Sequence, residues 1–182
     1  MKFSKVIIIL IISVLVVNCD NDSEEPTIIL SNANIAGIYS ITNLNVDTKV
    51  TSKTEVGGVI IPGDVATTKS IGDTFQIDFE LTENETFTAA GQYRANKTVT
   101  STAGNSVTVL DPLILVVDTS GSFEIDTTNN TIKFSSSVGD FINGTFNVVT
   151  FNETSLVLYQ EAEQIIDPTT TEIKTTIRFG RN

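Results

Sequence analysis

Residues 74–81 read Thr-Phe-Gln-Ile-Asp-Phe-Glu-Leu, and apolar side chains occupy every second position of this stretch. The apolar side chains therefore share one face of an extended chain, and the polar side chains share the other. A period of two residues is typical of a β-strand with one buried face and one solvated face. The stretch predicts a strand that covers a hydrophobic core.

The same alternation recurs along the chain. Residues 82–85 read as a polar turn, and residues 86–95 return the chain in a second strand. Further strand candidates are residues 122–126, 131–135, 144–151, 155–161 and 172–180. No stretch shows a sustained helical period, and short polar turns separate the strands. Successive hairpins predict an all-β fold, an antiparallel up-and-down barrel of about eight strands, with a β-sandwich as the alternative.

Two apolar stretches depart from the alternation. Residues 56–63 are apolar and rich in glycine, and they predict a loop that either packs over one end of the fold or forms an exposed lid. Residues 110–117 carry apolar side chains on both faces of an extended chain. They predict a strand that is buried on both faces, with a short turn at Asp111 and Pro112.

The chain begins with a segment that is typical of secretory signals. Lys2 and Lys5 precede the almost wholly apolar residues 6–17, and Cys19, the single cysteine, follows. The apolar run is too short to cross a bilayer comfortably, and a basic start before an apolar run is the order of a signal peptide. Residues 1–18 are therefore predicted to be a signal peptide.

This segment resembles the signal of bacterial lipoproteins, in which the chain is cleaved just before a cysteine. The resemblance implies that Cys19 carries acyl chains such as palmitate and anchors the protein in the lipid bilayer, where each buried methylene contributes about 0.8 kcal/mol. The acidic residues 20–26 are similar to the surface-export signals of Bacteroidetes lipoproteins. That similarity implies a cell-envelope protein of the outer membrane, exposed at the cell surface.

The polar composition after Cys19 predicts a flexible segment. Residues 19–34 are predicted to form the lipidated cysteine and an acidic tether, because residues 20–26 carry no side chain that would enter a core. Residues 35–182 are predicted to form one folded domain, a length that suits a single hydrophobic core.

Composition argues against several classes of function. The formal net charge is −11, and such a chain repels nucleic acid. Histidine is absent and the single cysteine is predicted to carry lipid, so the sequence offers neither a histidine-based catalytic centre nor a zinc site. Acidic residues such as Asp78 and Glu80 occupy outward strand positions, which indicates a solvated face. We therefore predict a protein that is not an enzyme and holds no metal or cofactor.

The two ends of the predicted domain carry a resemblance to a family. Gly37, Ile38 and Tyr39 open the first strand and resemble the Gly-x-Trp signature of lipocalins, with tyrosine in the place of tryptophan. Arg178 is the best match to the arginine that these proteins carry in the last strand, and Arg181 is the second choice. The chain resembles the lipocalin-like domains of Bacteroidetes lipoproteins, with a calycin-like barrel. The resemblance implies that Gly37, Tyr39 and Arg178 close the barrel.

Two functions follow from these observations. The first is a membrane-anchored lipocalin-like barrel that binds a small apolar ligand. The residues predicted to line its interior are Phe75, Ile77, Phe79, Phe87, Phe123, Phe134 and Phe146. The alternative is a non-enzymatic structural or protein-interaction module with a filled barrel, which binds through rim residues such as 59–61 or through an outer face. The sequence indicates no particular protein partner.

Overall fold

The computed structural model describes residues 28–182, and these form one short α-helix, a single turn of 3-10 helix (Ala103–Asn105) and nine strands. The elements are α1 (Asn32–Ile35), β1 (Gly37–Val56), β2 (Val59–Leu81), β3 (Thr86–Ser101), β4 (Ser106–Val109), β5 (Leu113–Asp126), β6 (Thr131–Val138), β7 (Gly144–Phe151), β8 (Ser155–Ile166) and β9 (Thr169–Arg181). Within this part of the chain no helix is long and apolar enough to cross a membrane.

The strands form one antiparallel sheet whose neighbours follow the order of the chain. β4 and β5 pair with β3 one after the other along the same edge, so they act as one interrupted strand. β9 returns to β1, with Tyr39 opposite Arg181 and Ser52 opposite Thr169. This pairing closes a ring of eight strands and confirms the predicted antiparallel barrel.

The alternation in residues 74–81 holds in the structure. Ile77, Phe79 and Leu81 are buried, whereas Asp78 and Glu80 are exposed. Tyr39 and Phe79 lie opposite each other across β1 and β2, and both side chains have no solvent exposure. The apolar face of each strand therefore points into one continuous core, as the period of two residues predicts.

The two ends of the barrel differ in which strands reach them. At the packed end, where β1 begins, all eight strands surround the core. At the other end only β4, β3, β2, β1, β9 and β8 continue, and they form an extended sheet. One row of partners across this extended sheet is Ser106, Ser101, Ala66, Val50, Thr171 and Gln164.

A β-bulge in β2 marks the junction between the packed end and the extended sheet. The pairing of β2 with β3 shifts between Asp73 and Gln76, and Thr74 adopts a positive φ of 52°. Gly91 faces this bulge, and a Cβ there would collide with the backbone carbonyl of Gln76. The bulge brings the Phe75 ring over Gly72, where a Cβ would lie 2.7 Å from the ring.

Both atypical apolar stretches differ from their predictions. Residues 56–63 are neither a packed loop nor a separate lid, because β1 and β2 continue to a two-residue turn at Gly57 and Gly58. Residues 110–117 are not buried on both faces, because Ile114 and Val116 are 60% and 79% exposed. The reason is their position: β6 pairs with β5 only from Ser120 onward, so nothing covers this part of β5.

The folded part begins before the predicted boundary at residue 35. Leu30 is buried in the core, and the side chain of Ser31 accepts a hydrogen bond from the backbone N–H of Asn34 at the start of α1. Ile35 is fully buried. The last residues of the predicted tether therefore pack against the barrel. The predicted signal peptide and Cys19 lie outside the described residues.

Candidate binding surfaces

Arg181 closes the packed end of the barrel. Its guanidinium carbon lies 5.9 Å from the centre of the Tyr39 ring, within the range of a cation–π contact. The same group donates hydrogen bonds to the backbone carbonyls of Asn34 at 2.9 Å and Ala36 at 2.7 Å. The Tyr39 hydroxyl donates to the carbonyl of Ile35 at 2.6 Å, and burial raises the pKa of this phenol. These contacts tie the N-terminal segment to the first and last strands.

The predicted closure by Gly37, Tyr39 and Arg178 is corrected in one residue. Arg178 is exposed, because it points outward between the buried Ile177 and Phe179. Arg181 has the same phase as those two residues and therefore points inward. Gly37 lies directly against it, since a Cβ at Gly37 would be 3.3 Å from Nε of Arg181.

Most of the residues that were predicted to line a ligand pocket pack against one another. The rings of Phe79 and Phe179 are 4.7 Å apart, and those of Phe87 and Phe134 are 5.3 Å apart. Ile77, Phe79, Phe87, Phe123, Phe134 and Phe146 are all at most 4% exposed. Aromatic rings at these distances are in mutual contact. These six side chains therefore form a filled core at the packed end.

Phe75 differs from the other six predicted lining residues because it is only partly buried. Its ring stacks on Tyr93 at 5.8 Å, and Tyr93 lies 6.1 Å from Phe141. Burial raises the pKa of the Tyr93 phenol. The three rings form a layer between the filled core and the extended sheet.

The two faces of the extended sheet carry different side chains. On the face that continues the barrel interior, Leu44, Val46, Thr48 and Val50 follow one another along β1, and the last three are half-buried. The opposite face carries charged pairs. Lys49 lies 3.0 Å from Glu172, and Lys174 lies 2.8 Å from Glu161. The inner face is therefore uncharged along β1, whereas the outer face is well hydrated.

The hairpin ends of the extended sheet carry exposed aliphatic side chains. We call Val56, Val59, Ile60, Ile61, Ile165 and Ile166 the apolar tips, and they are between 47% and 68% exposed. The two hairpins lie side by side, because the backbone N–H of Lys53 donates to the carbonyl of Pro168 at 2.9 Å. Clustered apolar side chains that remain in water are typical of a contact surface.

Sequence reasoning found only part of this surface. Residues 59–61 were predicted as rim residues, but Ile165 and Ile166 were not. The signal for them was an apolar pair next to Asp167 and Pro168, a dipeptide that favours turns. An apolar pair beside a turn signal lies at a hairpin end, where few neighbours can cover it.

The described residues contain no group of three or more His, Cys, Asp or Glu side chains that could hold a metal ion. The shortest ion pair within the described part of the chain lies at the junction, where Arg94 donates to both carboxylate oxygens of Asp73 at 2.7 and 2.9 Å. Hydrogen bonds from Arg94, Thr74 and Asn96 lower the pKa of Asp73 far below its ordinary value. This cluster joins two strands, which is a structural role.

No family model, curated protein or solved structure was found to match this chain.

Proposed function

We propose that this protein is a lipid-anchored, non-enzymatic binding module of the cell envelope, which contacts a partner protein through its apolar tips. The observation that carries the proposal is the combination of a filled core with aliphatic side chains exposed at the hairpin ends. A filled barrel has little room for a ligand. Covering exposed aliphatic clusters with a partner protein lowers the free energy, because apolar surface leaves water.

The proposed anchor lies at the opposite end from the tips. α1 and Leu30 pack at the packed end, so the chain enters the barrel there. β1 has 20 residues, and a strand of that length spans roughly 60 Å. Acyl chains on Cys19 would hold the packed end toward the outer membrane, and the tips would then face away from the bilayer at the cell surface.

The lipocalin-like character remains part of this proposal. Three observations support it: the Gly37–Tyr39 motif, the ring of eight strands in chain order, and the arginine over the Tyr39 ring. The arginine is Arg181, which has the inward phase that such a contact needs.

A photo-crosslinking experiment tests the contact surface. A photoreactive amino acid in place of Ile60 is expected to yield one defined protein adduct in intact cells, identified by mass spectrometry. Ile38 is the matched control, because it is 53% exposed but lies at the packed end. An adduct that forms equally well from Ile38, or none from Ile60, contradicts the proposal.

The anchor has its own test. Cys19→Ser is expected to abolish labelling with radioactive palmitate and to release the protein from the membrane fraction, because the thiol is the proposed acylation site. Palmitate labelling that persists in the variant would contradict the lipoprotein assignment.

A small apolar ligand is the second candidate function, and one observation favours it. Phe75, Tyr93 and Phe141 form a partly exposed aromatic layer above the core. Native mass spectrometry of the protein from its own cell envelope distinguishes the two functions. A stoichiometric apolar passenger would favour the ligand, whereas the bare mass is expected for the binding module.

A further inference from the structure

β5 has a free edge next to the open end of the barrel. β5 pairs with β3 from Leu113 to Ser122, but β6 covers its other side only from Ser120 onward. β4 continues the same edge along residues 98–101 of β3. We call β4 together with residues 113–117 the free edge, because no strand within residues 28–182 pairs with its outer side. Its backbone groups can therefore pair with a further strand.

Asp111 and Pro112 separate the two strands of the free edge, but the strands themselves lack the features that normally protect a sheet edge. Val107, Val109, Ile114 and Val116 are between 60% and 79% exposed, and residues 113–117 contain no charge and no proline. Natural edges are usually blunted by charged side chains, proline or bulges. The upper edge of β8, residues 160–166, is blunted in this way by two exposed glutamates, Glu161 and Glu163.

A groove runs along the free edge. It has a volume of about 340 Å³ and is lined by residues 115–119, residues 139–141 and Tyr93. The backbone N–H of Phe141 donates to the buried Thr119 hydroxyl at 3.3 Å, which ties the far wall of the groove to β5. The groove therefore places apolar and aromatic side chains beside an unpaired stretch of backbone.

The negative charge of the groove favours a cationic binding partner. Asp118 and Asp140 both line it, both are exposed, and neither forms an ion pair with a described residue. A second copy of this chain carries the same net charge of −11, and like charges oppose the pairing of two such chains. A cationic segment meets no such opposition.

We propose that the free edge accepts an extended segment of another protein, in which apolar residues alternate with lysine or arginine. Main-chain hydrogen bonds to residues 113–117 add the segment to the sheet, and its apolar side chains lie on the inner face beside Leu115 and Val117. Its alternate side chains then share the outer face with Ile114, Val116 and Asp118. Its basic side chains lie near Asp118 and Asp140. This inference rests on the proposed binding role but uses a different surface from the apolar tips.

A peptide-binding experiment tests the inference. A fluorescent peptide of alternating lysine and valine is titrated with the full-length protein in a mild detergent, and the Kd is taken from its anisotropy. Two matched peptides serve as controls: one has glutamate in place of lysine, and one keeps the lysines but has every second backbone amide methylated. Only the first, cationic peptide is expected to bind. Equal binding of the methylated peptide would overturn the proposal, because that peptide cannot extend the sheet.

Variants of the protein locate the site. Val116→Lys adds a protecting charge to the edge and is expected to raise the Kd of the peptide at least about tenfold. Val149→Lys is its matched control, because Val149 is 62% exposed on β7, away from the groove. If both variants bind the peptide as well as the natural protein, the site lies elsewhere.

A double substitution keeps the proposal testable if Val116→Lys does not fold. Asp118→Asn with Asp140→Asn keeps the size of both side chains. It is expected to raise the Kd of the peptide several-fold and to make the Kd less dependent on salt. The control is Glu124→Gln with Glu163→Gln, which removes two exposed carboxylates elsewhere. Equal losses in both double variants would mean that only the net charge matters, and this would overturn the proposal.

Two further outcomes separate this inference from other readings. A dimer of the unliganded protein in native mass spectrometry, abolished by Val116→Lys, would assign the edge to a second copy and overturn the inference. Ile60→Ser with Ile61→Ser is expected to retain peptide binding, since the tips lie outside the groove. Loss of tip crosslinking with intact peptide binding would therefore contradict the proposed function alone.

Discussion

The packed end and the extended sheet share the strands β1, β2, β3, β8 and β9 but differ in what covers them. At the packed end, β1 and β2 face six other strands across a core in which Tyr39 and Phe79 have no exposure. In the extended sheet the same two strands carry half-buried Thr48 and Val50, and they end in exposed isoleucines. Stability therefore concentrates at one end, and the other end is available for contact.

The two regions are expected to differ most in how much free energy of unfolding is lost when a side chain is truncated. Phe134 lies within 6.3 Å of the rings of Phe79, Phe87, Phe123 and Phe146. Phe134→Ala leaves a cavity among them and is expected to lower the free energy of unfolding by about 3–5 kcal/mol. Denaturant unfolding of the full-length protein measures this loss.

The matched substitution in the extended sheet is Ile60→Ala. Ile60 is 67% exposed, so its truncation is expected to change the free energy of unfolding by less than about 0.5 kcal/mol. A loss at Ile60 as large as that at Phe134 would mean that the tips are packed in solution, and the comparison would fail.

A second prediction concerns how the packed end is closed. Arg181→Ala removes the contact with Tyr39 and two hydrogen bonds to the backbone of residues 34 and 36. The expected loss is about 1–3 kcal/mol in the free energy of unfolding. Arg178→Ala is the control, because Arg178 is exposed, and its expected effect is within about 0.5 kcal/mol. If the two substitutions cost the same, Arg181 does not close the barrel in solution.

Arg178 and Arg181 show how much of the barrel closure could be predicted from the sequence. The alternation of residues 74–81 predicted the strand, its buried face and the fold class, because a period of two depends on local geometry alone. The same period gives Arg181 the phase of Ile177 and Phe179, so it could have identified Arg181. The family resemblance directed attention to Arg178 instead.

The exposure of residues 110–117 could not be predicted in the same way. An apolar run favours burial only if neighbouring strands extend far enough to cover it. β6 has 8 residues and β5 has 14, and the register between them leaves the first part of β5 uncovered. Register is a long-range property, and the pattern within one strand does not contain it. The free edge and its groove could therefore not be predicted from the sequence.

The smallest effect is expected at the junction, where Asp73 joins β2 to β3. Hydrogen bonds from Arg94 lower the pKa of Asp73, so the folded state favours the ionised carboxylate. Its stabilising contribution is present above the ordinary value of 3.8 and is lost only as the pH falls toward the lowered value. Asp73→Asn is therefore expected to lower the unfolding temperature by similar amounts at pH 7 and pH 5, and the difference should shrink below pH 4.

Asp78→Asn is the control for this substitution. Asp78 lies on the same strand and is exposed, so its replacement is expected to change the unfolding temperature by less than Asp73→Asn at pH 7. A contribution of Asp73 that is absent at pH 7 and pH 5 alike would mean that folding does not lower the pKa of this carboxyl. The ion pair would then be open in solution, and the bulge would have to be held by Gly91 and the stacking of Phe75 on Tyr93 alone. A contribution that persists to pH 4 instead makes Asp73 part of the boundary between the packed end and the extended sheet.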